Sequence, residues 1–231
     1  MSKTLEYAFD DACIAHMAED MGRMDIAERF GRRAQGWRNL YNPSNQFLQP
    51  RYGAAWREAF DPTEVTFEYT EANGWQYNFF VPHDVSKHME LLGGPEGYAE
   101  MLEEMFGGSS RMSGRHQSDI TGLIGQYAHG NEPSHHMAYL YNYCGKPDKS
   151  QKLVYRIKEE LYTTKPDGLS GNEDCGQMSA WYVLSAMGFY SVTPGEAYYA
   201  IGQPTFEEAK INQGGPLSLC VFKSGSLKFW M

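Results

Sequence analysis

Residues 3 to 20 set Leu5, Ala8, Phe9, Ala12, Cys13, Ala15, His16 and Met17 at helical spacing, with Asp and Glu on the other side. That period commits the start of the chain to an amphipathic helix that must find a partner face. A second segment over 24–37 repeats it with Ile26, Ala27, Phe30, Ala34 and Trp37, and the run YNPSNQF then ends the pattern with Asn, Pro and Ser. The two segments predict a helical hairpin. Helical text returns at 85–92, 95–106, 134–143, 148–163 and 177–187, punctuated by GGP, GKPD and KPDG. Residues 48–80 have no clear period and many aromatics, which predicts a functional loop or short strands near a site. The end of the chain alternates short apolar runs with Gly, Asn and Pro and predicts strands. Helical hairpins separated by elaborate loops suggest a helical array or a closed α/α barrel, and the absence of a strict internal repeat favours the barrel. The fold class expected is mainly α, a barrel portion over 1–192 followed by a few C-terminal β-strands over 193–231.

Composition narrows the function. With 231 residues, 42% of them hydrophobic and 14% aromatic, the chain can bury a sizeable core. A formal charge of -9 argues against nucleic acid, which asks for a basic stripe. No window approaches the roughly 18 uninterrupted apolar residues of a membrane span. The first twenty residues are amphipathic, with no charged-then-apolar leader, so a soluble chain without an export signal is expected. Cys13, Cys144, Cys175 and Cys220 are scattered without CxxC spacing and read as buried small hydrophobes, leaving the redox compartment open.

Three segments share one vocabulary: YTEANGWQYNFFVPHD (69–84), YAHGNEPSHHMAYLYNY (127–143) and GLSGNEDCGQMSAWY (168–182). Each joins a carboxylate, an amide, a glycine and aromatics at the edge of an apolar segment. Sugar chemistry wants this set, because carboxylates and amides bond hydroxyls, aromatic rings stack on pyranose faces, and two carboxylates flanking a glycosidic bond supply acid and base. Glu71 and Asp174 are the candidates, against the plainer alternative of surface carboxylates in polar loops. Asn172, Glu173 and Asp174 could equally cap the helix that follows them. Asn131 and Glu132 offer hard oxygens suited to Ca²⁺, or caps for a helix beginning after Pro133. Adjacent His135 and His136 diverge on a helix and cannot share one metal, whereas His83 and His129 lie inside the loops and are candidates for binding. His16 reads as a core or interface histidine, while His88 and His116 have no evident partners. There is no Gly-x-Ser-x-Gly elbow, Walker loop or GxGxxG.

TEANGWQYNFFVPHD, DITGLIGQYAHGNEPSHHMAYLYNYCGKP and GNEDCGQMSAWYVLSAMGFYSVTPG resemble the family-92 glycoside hydrolases, exo-acting α-mannosidases. SKTLEYAFDD and YAIGQPTFEEAKI extend the resemblance over nearly the whole chain. It implies part of an (α/α)6 catalytic barrel, Ca²⁺ dependence, and inverting hydrolysis of terminal α-linked mannose from glycans, α-1,2 linkages among the candidates. By motif, Glu71 matches the general acid and Asp174 the general base. Trp75, His129, Glu132, Asn172 and Glu173 are expected to line the substrate, with Asn131 and Glu132 toward the metal. Asn172 stands where some relatives carry a second carboxylate. Family members are longer, with an N-terminal β-sandwich and earlier barrel helices, and are usually exported bacterial enzymes. The chain therefore resembles the C-terminal portion of their catalytic domain, and helix faces left open would call for the N-terminal domain, a partner chain or self-association. The alternative is a catalytically incomplete chain that binds carbohydrate; a third reading is a helical scaffold whose acidic loops only cap.

Overall fold

In the computed structural model, which describes residues 1–212, 218–222 and 227–230, the N-terminal period becomes helix α1, Ser2–Asp20. Its buried stripe is Leu5, Ala8, Ala12, Ala15 and Ala18, small side chains that let α2 (Met24–Ala34) pack against it. Asp11, buried on α1, accepts from Arg33 Nε of α2 at 3.0 Å. The stripe drifts round the helix toward its C-terminal end, so Met17 is 68% exposed and His16 is exposed, not a core histidine. After α2 the chain tightens into a 3₁₀ turn, Gln35–Leu40, which carries Trp37 and Leu40 into a core with Leu5, Leu48, Tyr69, Tyr77 and Val81.

The chain forms two compact units, Met1–Ser134 and His135–Met231. In the first, the irregular stretch resolves into two-residue pairings: Tyr41–Asn42 with Phe47–Leu48, and Arg51–Tyr52 with Ala55–Trp56, both antiparallel. Helices α3 (Gly74–Asn78), α4 (Val85–Leu91) and α5 (Gly94–Gly107) follow. Glu64–Val65 pairs in parallel with Ser113–Gly114, and Leu123–Ile124 antiparallel with Tyr127–Ala128. The last pair turns through Gly125, where φ is +59° and an added Cβ would lie 2.2 Å from the Met105 carbonyl oxygen, so only glycine fits.

The helix expected over 134–143 is instead two 3₁₀ turns, Glu132–Ser134 and Met137–Asn142. All residues of 134–141 are buried, so their apolar character reports burial on every side and carries no helical period. The second unit adds α6 (Pro147–Leu161) and α7 (Gln177–Met187), and α7 stops at Gly188, whose φ of +93° lets its N–H reach the carbonyls of Leu184 and Ser185. Its core is aromatic: Tyr162 stacks on Trp181 at 6.0 Å and 4°, and Tyr139 on Tyr190 at 5.0 Å and 13°. Phe189–Tyr190 pairs with Ala200–Ile201, and Glu208–Asn212, Ser218–Phe222 and Leu227–Trp230 form an antiparallel three-stranded sheet. Residues 213–217, 223–226 and 231 of the expected strand region lie outside the described residues. The fold is mainly helical with few short strands, and among the described residues no helix is long and apolar enough to cross a membrane.

Candidate active site

Glu71 sits two residues before the N-cap of α3. That cap is a complete capping box: Asn73 accepts from Gln76 N–H at 3.2 Å, and Gln76 Oε1 accepts from Asn73 N–H at 3.1 Å. Both amides are buried and continue into a network with Gln126, which accepts from Asn73 Nδ2 at 2.8 Å through its side chain and from Gln76 Nε2 at 3.1 Å through its backbone carbonyl. Gln126 in turn donates to the Arg111 carbonyl at 2.9 Å. The TEANGWQY and GQYAHGNE segments are thereby tied together through buried amides.

On this base Glu71 adopts φ of +51°, a left-handed conformation that a residue with a Cβ enters at a cost of roughly 1–3 kcal/mol. Asn131 Nδ2 donates to the Glu71 carbonyl at 3.0 Å and so holds that conformation. The side chain is exposed, and its charge joins burial and the Glu6 hydrogen bond in pushing the Tyr77 hydroxyl pKa up, burial being the largest cause. Trp75 is half-buried, edge-on to Phe47 at 4.8 Å. His129 is fully buried; its Nδ1 and the Tyr127 hydroxyl share a hydrogen bond of 2.7 Å, and its backbone N–H donates to the Gly122 carbonyl at 3.0 Å. Glu132 is partly exposed and buries Oε1.

The second candidate carboxylate lies in the loop entering α7. Asp174, Cys175 and Gly176 take φ of +47°, +56° and +85°, three consecutive left-handed residues. Glu173 accepts from Ser179 N–H at 3.0 Å and from the Ser179 hydroxyl at 2.9 Å, satisfying an orphan donor of the first turn. Gln177 N–H donates to the Asp174 carbonyl at 3.1 Å. Of the three acceptors, Glu173 is the cap, while Asn172 and Asp174 are exposed. Gln177 Nε2 lies 3.1 Å from His135 Nδ1 and 3.2 Å from the Tyr190 hydroxyl, and Trp181 Nε1 donates to the His135 carbonyl at 3.0 Å, which fixes the start of the helix.

Among the described residues five non-glycine residues have positive φ, and Glu71 and Asp174 are two of them. Sequence reasoning missed the supports: Asn73, Gln76, Gln126, His135 and Gln177. The Asn-x-x-Gln spacing of 73 and 76 was a readable capping signal; the long-range amide pairing had none. His83 proves structural, its Nε2 donating to the Ala34 carbonyl at 3.0 Å, with burial pushing its pKa down. Cys175 is exposed, against the expectation of a buried small hydrophobe.

For Ca²⁺ the donors are of the right kind but few. Asn131 keeps Oδ1 for a cation because its Nδ2 is committed to Glu71, and Glu132 adds a carboxylate. Ca²⁺ takes about 6–8 oxygens, and among the described residues no group of three or more His, Cys, Asp or Glu side chains converges. Backbone carbonyls, water or sugar hydroxyls would have to complete the shell.

Residues 1–225 match the model of the glycosyl hydrolase family 92 catalytic domain. Among solved structures, the chain is similar to a family GH92 α-mannosidase from Bacteroides thetaiotaomicron in complex with mannoimidazole, with 37% identity over 99% of this chain and 30% of that one, TM-score 0.83. It is also similar to a family GH92 inverting mannosidase of the same organism, with 37% identity over 99% of this chain and 31% of that one, TM-score 0.78. A protein described as an uncharacterized secreted glycosidase, from Arthroderma benhamiae, is 28% identical over 91% of this chain and 28% of its own length. The chain thus spans about 30% of the length of the relatives it matches.

Proposed function

This chain belongs to glycosyl hydrolase family 92, and from that membership we propose that it carries the acid and base of an α-mannosidase acting on terminal α-linked mannose of glycans, α-1,2-linked ends among them. The observation that carries this reading is local. Both carboxylates that match the family's motifs are exposed at left-handed backbone positions, each in a loop whose capping is done by a neighbour. In an inverting reaction Glu71 gives its proton to the glycosidic oxygen as that bond breaks, and Asp174 takes a proton from the water that attacks the anomeric carbon. One proton enters the leaving sugar and one leaves the water, so hydroxyl and proton balance in a single displacement. Trp75 offers a ring face to the sugar, Glu132 offers hydrogen bonds, and Asn172 and Glu173 hold the Asp174 loop; His129, expected to line the substrate, is fully buried against Tyr127 and braces the loop from beneath. The helices are read as part of an (α/α)6 barrel, and export is proposed only by likeness to the secreted relative.

Asn131 and Glu132 are the residues that would hold Ca²⁺. When bound, the ion would supply positive charge to polarise sugar hydroxyls and favour a distorted ring.

The test is mannose release from α-mannobioses by the purified chain, with Ca²⁺ and with chelator, beside Glu71→Gln and Asp174→Asn. Calcium-dependent release lost in both variants is the expected result; release that survives in either removes that residue from its role. The coverage of about 30% of the relatives favours one second reading, a chain that binds saccharide but needs further polypeptide for turnover. Saccharide binding by a folded chain without release would establish that reading.

A further inference from the structure

Beyond the C-terminal end of α7 the second unit contains an open cleft of about 410 Å³, lined by Asn142, Tyr143, Pro147, Gln151, Tyr198 and Tyr199, with Ala200 and Ile201. Its volume falls within the roughly 300–1,000 Å³ usual for small-molecule sites. None of these lining residues belongs to the Asp174 loop.

Its chemistry is selective. None of the lining residues is charged, although the chain carries a net charge of -9. An ionic ligand would find no counter-charge in the wall. Tyr198 and Tyr199 remain 51% and 55% exposed, yet both are held. Tyr199 stands edge-on to Phe189 at 5.4 Å and 81°, and Tyr143 is hydrogen-bonded to both Tyr198 and Thr193. The pairing of Ala200–Ile201 with Phe189–Tyr190 anchors the strand just after them. Fixed, half-exposed tyrosine rings bind with little loss of side-chain freedom and offer an apolar face beside a polar rim.

An amide supplies the polar part. Asn142 donates Nδ2 to the Ile201 carbonyl at 3.1 Å and its Oδ1 is closed to solvent, so this side chain braces the strand and offers a ligand nothing. Gln151 is the lining amide left to bond a ligand hydroxyl. An aliphatic ligand would leave it unused, and a flat aromatic one would bring few hydroxyls to it.

We propose that this cleft is an auxiliary saccharide site, in which one neutral pyranose unit of a glycan stacks on Tyr198 or Tyr199 and hydrogen-bonds the amide of Gln151. It would retain a branched or polymeric glycan while another end is presented elsewhere for hydrolysis.

The test is titration of the full chain with methyl α-D-mannopyranoside and with α-1,2-mannobiose, followed by saturation-transfer NMR and calorimetry. The Tyr198→Ala/Tyr199→Ala double variant should weaken binding by at least about tenfold, the scale of a lost aromatic contact. Tyr155→Ala, an exposed tyrosine on α6 outside the cleft, should leave this binding unchanged. Tyr199→Leu, which keeps apolar bulk and removes the ring face, guards against misfolding of the double variant and should also weaken binding. Equal affinity in a folded Tyr199→Leu or double variant overturns the proposal. So does absence of binding by the folded wild-type chain, or an equal loss caused by Tyr155→Ala. Mannose release is read separately, so failure of the catalytic reading leaves this result intact.

Discussion

Replacing His88 by Leu should remove a defined part of the protein's acid sensitivity. His88, on α4, is fully buried, with ring neighbours Trp37, Phe79 and Tyr98 at 5.7, 6.1 and 5.5 Å, all near edge-on. Neither ring nitrogen has a hydrogen-bond partner. Burial pushes its pKa down to about 3 from the ordinary 6.5. The folded state therefore holds the imidazole neutral, while the unfolded chain takes a proton once the pH drops below 6.5. The stability this group permits is complete above that value and drains away as the pH falls toward about 3. Each unit in this window is worth about 1.4 kcal/mol, so at pH 5 the loss from His88 is about 2 kcal/mol. Leu is close to volume-conserving, so packing should change little. Urea unfolding followed by tryptophan fluorescence at about pH 7.5 and pH 5 provides the comparison. Wild type should lose about 2 kcal/mol more than the variant between the two conditions. Parallel losses in the two proteins would refute the argument, because they would mean that His88 titrates alike in both states.

Three further outcomes follow from the site's supports. Gly125→Ala forces a Cβ to 2.2 Å from the Met105 carbonyl at φ of +59°; it should cost at least about 3 kcal/mol, seen as a lower thermal midpoint and faster amide exchange over 123–128. Glu173→Ala removes the cap on Ser179 and should cost about 1 kcal/mol, with faster exchange confined to the first turn of α7. Asn131→Ala deletes the hydrogen bond to the Glu71 carbonyl at a partly exposed position, for a stability loss of about 1 kcal/mol. If Glu71 is the acid, mannose release should fall well beyond what that loss explains; a fall in step with stability alone would strip Asn131 of any positioning role.

Helices with one wet face were legible because burial on one side leaves a period, and 24–37 and 177–187 were placed within a few residues in that way. The same logic misread 134–143, where burial on every side erased the period. Glu71 and Asp174 stood out because carboxylates beside amides, glycines and aromatics form a recognisable vocabulary. Their left-handed backbone did not, since nothing in a Glu or Asp codes the sign of φ. Nor could local text reveal Gln126 closing a network with Asn73 across 53 positions of sequence.

What the structure adds is one local device used twice. Ahead of α3, Asn73 takes the capping duty and Asn131 the Glu71 carbonyl; ahead of α7, Glu173 takes the capping duty on Ser179. Were Asp174 itself the cap, its oxygens would be occupied by helix N–H groups, which favour the ionised form and compete with a water molecule for the same lone pairs. A neighbouring residue in that role leaves the carboxylate oxygens of Asp174 facing solvent. The strain at φ of +47° then has a physical rationale: a right-handed Asp174 would continue the helical path, whereas the left-handed turn through Asp174, Cys175 and Gly176 carries the chain into α7 with Glu173 left to reach Ser179.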